Sequence, residues 1–352
     1  MAEPRAKQGN TSRMRYSLTT KSLLALLGLG TMLPAATQAY ALDEVSYGTN
    51  WLAQAEHGGF YQAVADGTYE KHGLKVTIVQ GGPNAANSAL LIAGKIEFYM
   101  GGSMGELNAQ AEGIPLMDVA SIFQKDPQVL LAHPDAGFTD LASLSGASKI
   151  IMGKDSFFAG YWPWMKSAFT GFTDEMYEPY TFNPAPFIAD PKSVQQGYLT
   201  SEPYEIGKQT GWDPQVFLLA DFGYDPYSTT IETRQEIVDE NPDLVQRFVD
   251  ATAIGWYNYL YGDNSAANAL IKADNPEMTD GQIEYSIAKL KEYGIVVSGD
   301  AETSGIGCMT DARWTDFYAK MIEAGVYEAG IDISKAYTTQ FTCKSVGIDL
   351  VK

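Results

Sequence analysis

His57-Gly58-Gly59 stands just after a short apolar run and at the start of a helical stretch, with Trp51 before it and Tyr61 after it. An imidazole in such a turn can donate to or accept from a heterocycle or a carboxylate, and two glycines let a ligand approach the main chain. The same histidine could equally cap the helix or bond a buried carbonyl. Two glycine turns follow, Gly81-Gly82-Pro83-Asn84 and Gly101-Gly102-Ser103, each between a strand-like and a helix-like segment. There backbone amides, Asn84 and Ser103 can meet a polar ligand group or simply begin a helix. Lys154 to Trp164 gathers Phe157, Phe158, Tyr161, Trp162 and Trp164 in one segment, with Phe157 and Trp162 the candidates to face a planar ring and the others suited to packing. Glu202, in Ser201-Glu202-Pro203-Tyr204, offers a carboxylate to ring amines or a charge that favours a helix N-terminus.

Some chemistries can be weighed against spacing alone. Gly101-Gly102-Ser103-Met104-Gly105 has the form G-x-S-x-G, and His57-Gly58-Gly59 has the look of an upstream oxyanion stretch, so a secreted serine esterase using Ser103 is one reading. The order argues against it: His133 is the one histidine after Ser103, and it comes before most of the fold is built, with only Asp118 and Asp126 well placed between them. His57, His72 and His133 are scattered without H-E-x-x-H, and Cys308 and Cys343 have neither C-x-x-C spacing nor a neighbouring histidine, so no metal site is expected. A G-x-G-x-x-G fingerprint is missing and no cofactor is expected. A net charge of -19 argues against nucleic acid as a partner and favours solubility.

These residues need a scaffold that brings turns together. The chain has 352 residues, 45% hydrophobic and 19% charged, enough for two lobes. From Val45 short apolar runs alternate with amphipathic stretches, the pattern of a mainly parallel sheet covered by helices. Strands are expected at 45–50, 75–80, 96–100, 129–132, 149–152 and 216–220, and helices at 59–72, 85–94 and 161–169. From Arg234 onward helices dominate, at 241–260, 279–293 and 311–323. No internal repeat is visible. Residues 1–41 differ: Arg5, Lys7, Arg13, Arg15 and Lys21 face the single acid Glu3, and the apolar run from Leu23 to Leu33 leads through Pro34 to Ala39-Tyr40-Ala41. That run is too short to span a membrane and reads as a signal peptide cleaved after Ala41, starting at Met1 or Met14. No cysteine follows the cleavage site, so no lipid anchor is expected. In an exported chain Cys308 and Cys343 are expected to form a disulfide, two buried thiols being the alternative.

The stretch from Asn50 to Ala63 containing Trp51 and His57-Gly58-Gly59-Phe60-Tyr61, with Gly67-Thr68-Tyr69, Lys71-His72-Gly73-Leu74, Gly81-Gly82-Pro83, Gly94-Lys95-Ile96-Glu97-Phe98 and Gly197 to Tyr204, resembles the periplasmic binding proteins of the nitrate, taurine, sulfonate and thiamine-pyrimidine class. The resemblance implies an α/β, two-lobed type II binding protein with its ligand cleft between the lobes. The first lobe would be discontinuous, 42–126 plus 224–352, with 127–223 as the second. It further implies a periplasmic, monomeric, non-enzymatic protein that hands a small solute to the transmembrane permease of an ABC importer. The first loop is most similar to binders of hydroxymethylpyrimidine-type precursors, so the expected ligand is a small polar aromatic, pyrimidine-like molecule. A sulfonate, a nitrate-like anion or riboflavin is the alternative, and an anion would call for a base in the cleft, where the second lobe offers chiefly Lys154. The expected ligand contacts are Trp51, His57, Gly58, Gly59, Tyr61, Asn84, Ser103, Phe157, Trp162 and Glu202.

Overall fold

The computed structural model describes residues 41–351 apart from Ala159, so the leader expected over 1–41 lies outside the described residues except for its last residue. The strands are β1 (Asp43–Gly48), β2 (Leu74–Val79), β3 (Phe98–Gly102), β4 (Leu116–Phe123), β5 (Gln128–Ala132), β6 (Ile150–Met152), β7 (Tyr177–Pro179), β8 (Val194–Tyr198), β9 (Gln215–Leu218) and β10 (Ser228–Arg234). They form two five-stranded sheets, in the orders β2-β1-β3-β10-β4 and β7-β6-β8-β5-β9. Pairing among β1, β2 and β3 is parallel, as it is among β6, β7 and β8. One strand in each sheet runs antiparallel to its neighbours, β10 in the first and β5 in the second. The two sheets therefore repeat one plan, and each receives its antiparallel strand directly from the last strand of the other.

Sequence pattern accounts for most of this. β1 turns Val45 and Tyr47 inward, while β4 is buried at every position, as a strand covered on both faces must be. β10 was not expected, because Ser228-Thr229-Thr230-Ile231-Glu232-Thr233-Arg234 is mostly polar. It nevertheless sits between β3 and β4 with its five central residues buried. The helix expected at 59–72 is two helices, Gly58–Ala65 and Thr68–Lys71, because Gly67 adopts a left-handed conformation with φ of 71° between them.

The helices Gly58–Ala65 and Pro242–Tyr261 meet at glycine. A Cβ on Gly255 would lie 2.4 Å from the Gly59 carbonyl oxygen, one on Gly59 would lie 2.1 Å from the Trp256 ring, and one on Gly58 would lie 1.9 Å from the Tyr259 ring. The space that sequence reading gives to a ligand at Gly58 and Gly59 is thus filled by these two aromatic side chains. A continuous apolar cluster extends from this contact through the first sheet to Val129, Leu131 and Ile151 of the second. The helix Asp311–Glu323 places Trp314, Phe317 and Met321 in a further cluster with Trp164, Phe217 and Tyr224.

The outer edge of β4 is covered by the C-terminal segment: Asp118 N–H donates to Ala336, Ser121 N–H donates to Gly307, and Thr338 N–H donates back to Asp118. Covering an edge this way removes an open row of backbone donors. Cys308 and Cys343 are bonded, Cα to Cα 4.5 Å apart across a sequence separation of 35, and pin this segment.

Two outcomes are expected. Gly59→Ala should lower unfolding free energy by about 1–3 kcal/mol through overpacking, read by urea denaturation; a variant as stable as wild type would mean the helices are not in that contact. Thiol labelling of unreduced, denatured protein should find no free thiol, and reduction should cost about 2–4 kcal/mol while leaving the fold cooperative.

Candidate functional site

Open α/β sheets present their ligand loops at the carboxyl ends of parallel strands. Here β1 leads to Trp51 and His57, β3 to Ser103, β6 to Ser156 and Tyr161, and β8 to Glu202. A cavity of about 460 Å³ lies between the ends of β3 and β6, and Trp51, His57 and Glu202 do not line it. Its wall on the first sheet is Gly102, Ser103, Met104, Gly105 and Asn108, and on the second Ser156, Gly160 and Tyr161. Its floor is the two chain crossings between the sheets, Asp126 and Gln128 on one and Tyr224, Pro226, Tyr227 and Ser228 on the other. A second cavity of about 490 Å³ shares Gly102, Gly105 and Asn108 with it and continues past Asn50, Tyr99 and Glu232. Among the described residues, no lysine, arginine or histidine lines either cavity.

The floor is held firmly. Arg313 lies 4.1 Å over the Tyr227 ring and donates to the carbonyls of Gln124, Asp225 and Pro226, so one guanidinium ties both crossings. Tyr227 donates its hydroxyl to Asp300 at 3.0 Å and accepts from the Thr310 N–H at 3.0 Å. The Tyr161 hydroxyl donates to Gln196 at 3.4 Å. Burial pushes the Asp126 carboxyl up to about 6, with the Gln128 N–H working against the rise.

Away from the crossings the two sheets also touch. Trp51, beyond β1, lies 5.0 Å from the ring of Phe182, beyond β7, and Phe182 lies 5.2 Å from Tyr180. Phe182 is exposed and holds a positive φ of 58°. Glu56 accepts a hydrogen bond from the Thr200 hydroxyl, and the Thr200 carbonyl accepts from Gln282 and Ser286. Burial raises the Glu56 carboxyl to about 7, against the Thr200 bond that lowers it. Next to it His57 is buried with neither ring nitrogen bonded to protein, and that burial depresses its pKa to about 3. Glu202 accepts from the Tyr198 N–H at 2.7 Å; burial raises its pKa, and the Tyr180 hydroxyl beside it opposes the rise.

Of the residues singled out from sequence, Ser103 lines the cavity, although its hydroxyl donates to the Tyr227 carbonyl at 3.0 Å. Trp51, His57 and Glu202 lie on the facing turns described above. The remaining side chains are engaged elsewhere. Tyr61 donates to Asp274 at 2.7 Å, Phe157 stacks on Tyr177 at 4.0 Å, and Trp162 is buried with its indole N–H on Asp174 at 2.9 Å. Asn84 is exposed in its turn, and Asn87 instead bonds the Thr49 and Val79 carbonyls at 2.9 and 3.0 Å. Neither of the other histidines reaches Ser103: His133 bonds the Phe187 carbonyl and His72 the Thr68 carbonyl. Sequence reading missed Asn108, Gln128, Tyr224, Tyr227 and Phe182, none of which belongs to a motif; Asn108 lies within the helix Ser103–Glu112, and the others lie near a strand end or a crossing.

Residues 54–266 match the family described as NMT1/THI5 like. The riboflavin-binding protein RibY of Chloroflexus aurantiacus is 23% identical over 318 residues, covering 88% of this chain and 89% of RibY. A 4-amino-5-hydroxymethyl-2-methylpyrimidine phosphate synthase of Aspergillus parasiticus is 26% identical over 105 residues, 30% of this chain and 31% of the synthase. Among solved structures, the periplasmic aliphatic sulphonate binding protein SsuA from Escherichia coli superposes with a TM-score of 0.61 at 15% identity, covering 83% of this chain and 91% of SsuA. Two α/β lobes of one strand plan, with turns from both converging on a cavity between them, are the fold of such binding proteins, and the chain belongs to the NMT1/THI5-like family.

Proposed function

We propose that this protein is a periplasmic solute-binding protein that closes its lobes over a neutral, planar nitrogen heterocycle of the pyrimidine type and delivers it to the permease of an ABC importer. The observation that carries this reading is the cavity between the sheets, lined from both lobes and both crossings by Tyr161, Tyr224 and Tyr227 together with Ser103, Asn108, Gln128 and Ser156. Tyrosine rings suit a planar solute, and the neutral polar groups suit ring nitrogens and amines. A sulfonate or nitrate would meet Asp126 with no lining base to offset it, which disfavours an anion. Riboflavin is the second reading, favoured by a relative matched along nearly its whole length and by the adjoining cavities, which give room for a longer solute.

In this reading Ser103 lies on the ligand wall, while Trp51 against Phe182 and Glu56 against Thr200 hold the lobes together around it. His57 adds an imidazole with both nitrogens free of protein partners at the same junction. The proposal is of a binder, not an enzyme; against the serine esterase in particular, no histidine among the described residues bonds Ser103, whose hydroxyl donates to the Tyr227 carbonyl instead. A leader cleaved after Ala41 and a soluble monomer complete the proposal.

The junction sets a pH dependence of stability. Glu56 keeps its proton in the folded state up to about pH 7, whereas the unfolded chain releases it near the ordinary carboxyl value of 4.5. Its contribution is full below that value and is lost as pH rises through 7. His57 acts in the opposite sense. The folded state holds it neutral down to about 3 while the unfolded chain takes up a proton below 6.5, so its contribution is full above 6.5 and lost as pH falls. Urea melts from pH 4 to 8 should therefore show Glu56→Gln gaining on wild type between 4.5 and 7, by a few kcal/mol. Parallel profiles would remove Glu56 from that role.

Binding is tested by titrating purified protein with a hydroxymethylpyrimidine, riboflavin, taurine and nitrate. A heterocycle should bind, raise the melting temperature and perturb indole fluorescence. Ser156→Ala should weaken binding by about 0.5–1.5 kcal/mol with its melting temperature unchanged. Phe182→Ala should speed ligand release. Binding of taurine or nitrate with neither heterocycle would overturn the ligand class.

A further inference from the structure

Glu106, Asp118 and Glu232 are far apart in sequence and come from three elements, the helix Ser103–Glu112, β4 and β10. All three are buried, and one oxygen from each lies within 4.8 Å of the others. Neutral donors satisfy part of the cluster: Gln110 donates to Glu106 Oε1 and Thr230 to Asp118 Oδ1, both at 2.7 Å. Glu106 Oε2 and Asp118 Oδ2 are fully buried and have no protein partner. None of the ion pairs among the described residues brings a lysine or arginine to any of the three. Glu232 also lines the 490 Å³ cavity, so the cluster borders an entry route. Gly101 leaves it room, since a Cβ there would lie 2.4 Å from Glu232 Oε2.

We propose that Glu106, Asp118 and Glu232 bind one hard divalent cation of calcium size. Three carboxylates gathered away from water repel one another unless a cation or protons intervene, and buried acceptors without donors are costly. A donor set made wholly of oxygen selects a hard ion over zinc or copper. Dehydration then discriminates: magnesium gives up its waters reluctantly and demands near-ideal octahedral geometry, whereas calcium accepts carboxylate oxygens in a flexible arrangement, which suits a buried set. A bound ion ties β10, the strand returning from the second sheet, to β4 and to the helix that begins at Ser103 on the cleft wall. The site was hidden from motif reading because its ligands share no spacing and include no histidine or cysteine.

The test uses the full exported chain, stripped with a chelator and dialysed against Ca²⁺. Wild type should take up one Ca²⁺ per chain, by elemental analysis, and its melting temperature should rise with ion concentration as mass action requires. Glu232→Gln should lose affinity about 10- to 100-fold or more, at least the loss seen when an outer-shell partner of a metal is removed. Glu292→Gln, an exposed carboxylate paired with Lys289, should bind as wild type does. No uptake by wild type at ~1 mM Ca²⁺, the weak end of extracellular calcium sites, overturns the proposal and leaves the cluster holding protons instead. Equal loss in both variants, or none in Glu232→Gln, also overturns it by placing the ions on the acidic surface. If Glu232→Gln fails to fold, Asp118→Asn takes its place and is read against Glu292→Gln by the same outcomes.

Discussion

The close approach of the helices Gly58–Ala65 and Pro242–Tyr261 is the constraint on which the first lobe depends. Any side chain at Gly59 or Gly255 would separate them. Their contact seats Phe60 between Tyr47, stacked at 4.2 Å, and Trp256, edge-on at 6.0 Å, while Phe248 stacks on Phe98 at 4.2 Å beneath. These rings lie on the sheet side of the turn that carries Trp51, Glu56 and His57. The position of that turn is therefore set by aromatic packing on chain that arrives much later, in the helix that carries Trp256. Interiors packed to this density do not yield by fractions of an ångström, and so the first lobe's half of the junction, Trp51, Glu56 and His57, is held in place.

The second constraint is the exchange of strands. β5 continues from β4 into the other sheet, and β10 continues from β9 back into the first, so each sheet is completed by chain that has just left its partner. Two crossings alone would permit wide relative motion, yet Arg313 bonds carbonyls on both and covers Tyr227. The crossings must then bend together. In the proposed closure over a ligand, the two tied crossings would serve as the hinge, with the tyrosine floor of the cavity resting on them. Local strain accompanies the junction opposite the hinge, where Phe182 keeps a left-handed backbone for the sake of Trp51.

Much of the fold was legible because hydrophobic period and glycine punctuation agree with it. The helix expected at 311–323 is Asp311–Glu323, and Gly73 and Gly94, which stand at the ends of the helices expected over 59–72 and 85–94, both adopt positive φ. β10 escaped because threonine and glutamate look like loop until the neighbouring strands bury them, and burial is a tertiary fact. The repeated strand plan escaped for a similar reason: two sheets can share topology with no recurring residue. At the site, motif residues and strand ends were visible. Whether a ring faces a ligand or a neighbour was not, as Trp162 on Asp174 and Phe157 on Tyr177 show. Gly58 and Gly59 make the point most sharply, since a glycine signals close approach without saying what approaches.

Charge then separates the functions that one scaffold can serve. The chain carries a net charge of -19, and both cavities border carboxylates, Asp126 in one and Glu112 and Glu232 in the other. A site for an anion must offset desolvation of that anion with a base or with convergent amides. Lys154, the base expected of the second lobe, lines neither cavity and lies 6.0 Å over the Phe158 ring, and the bases at the crossings are committed: Arg313 binds their carbonyls, and Lys125 pairs with Asp221 at 3.2 Å. Reassigning either would loosen the hinge or its flank. A neutral heterocycle asks for neither, because tyrosine faces and hydroxyl or amide groups recognise it without a compensating charge. The sheets that position these groups are indifferent to the solute, so specificity resides in a few side chains at strand ends while the strand plan stays constant.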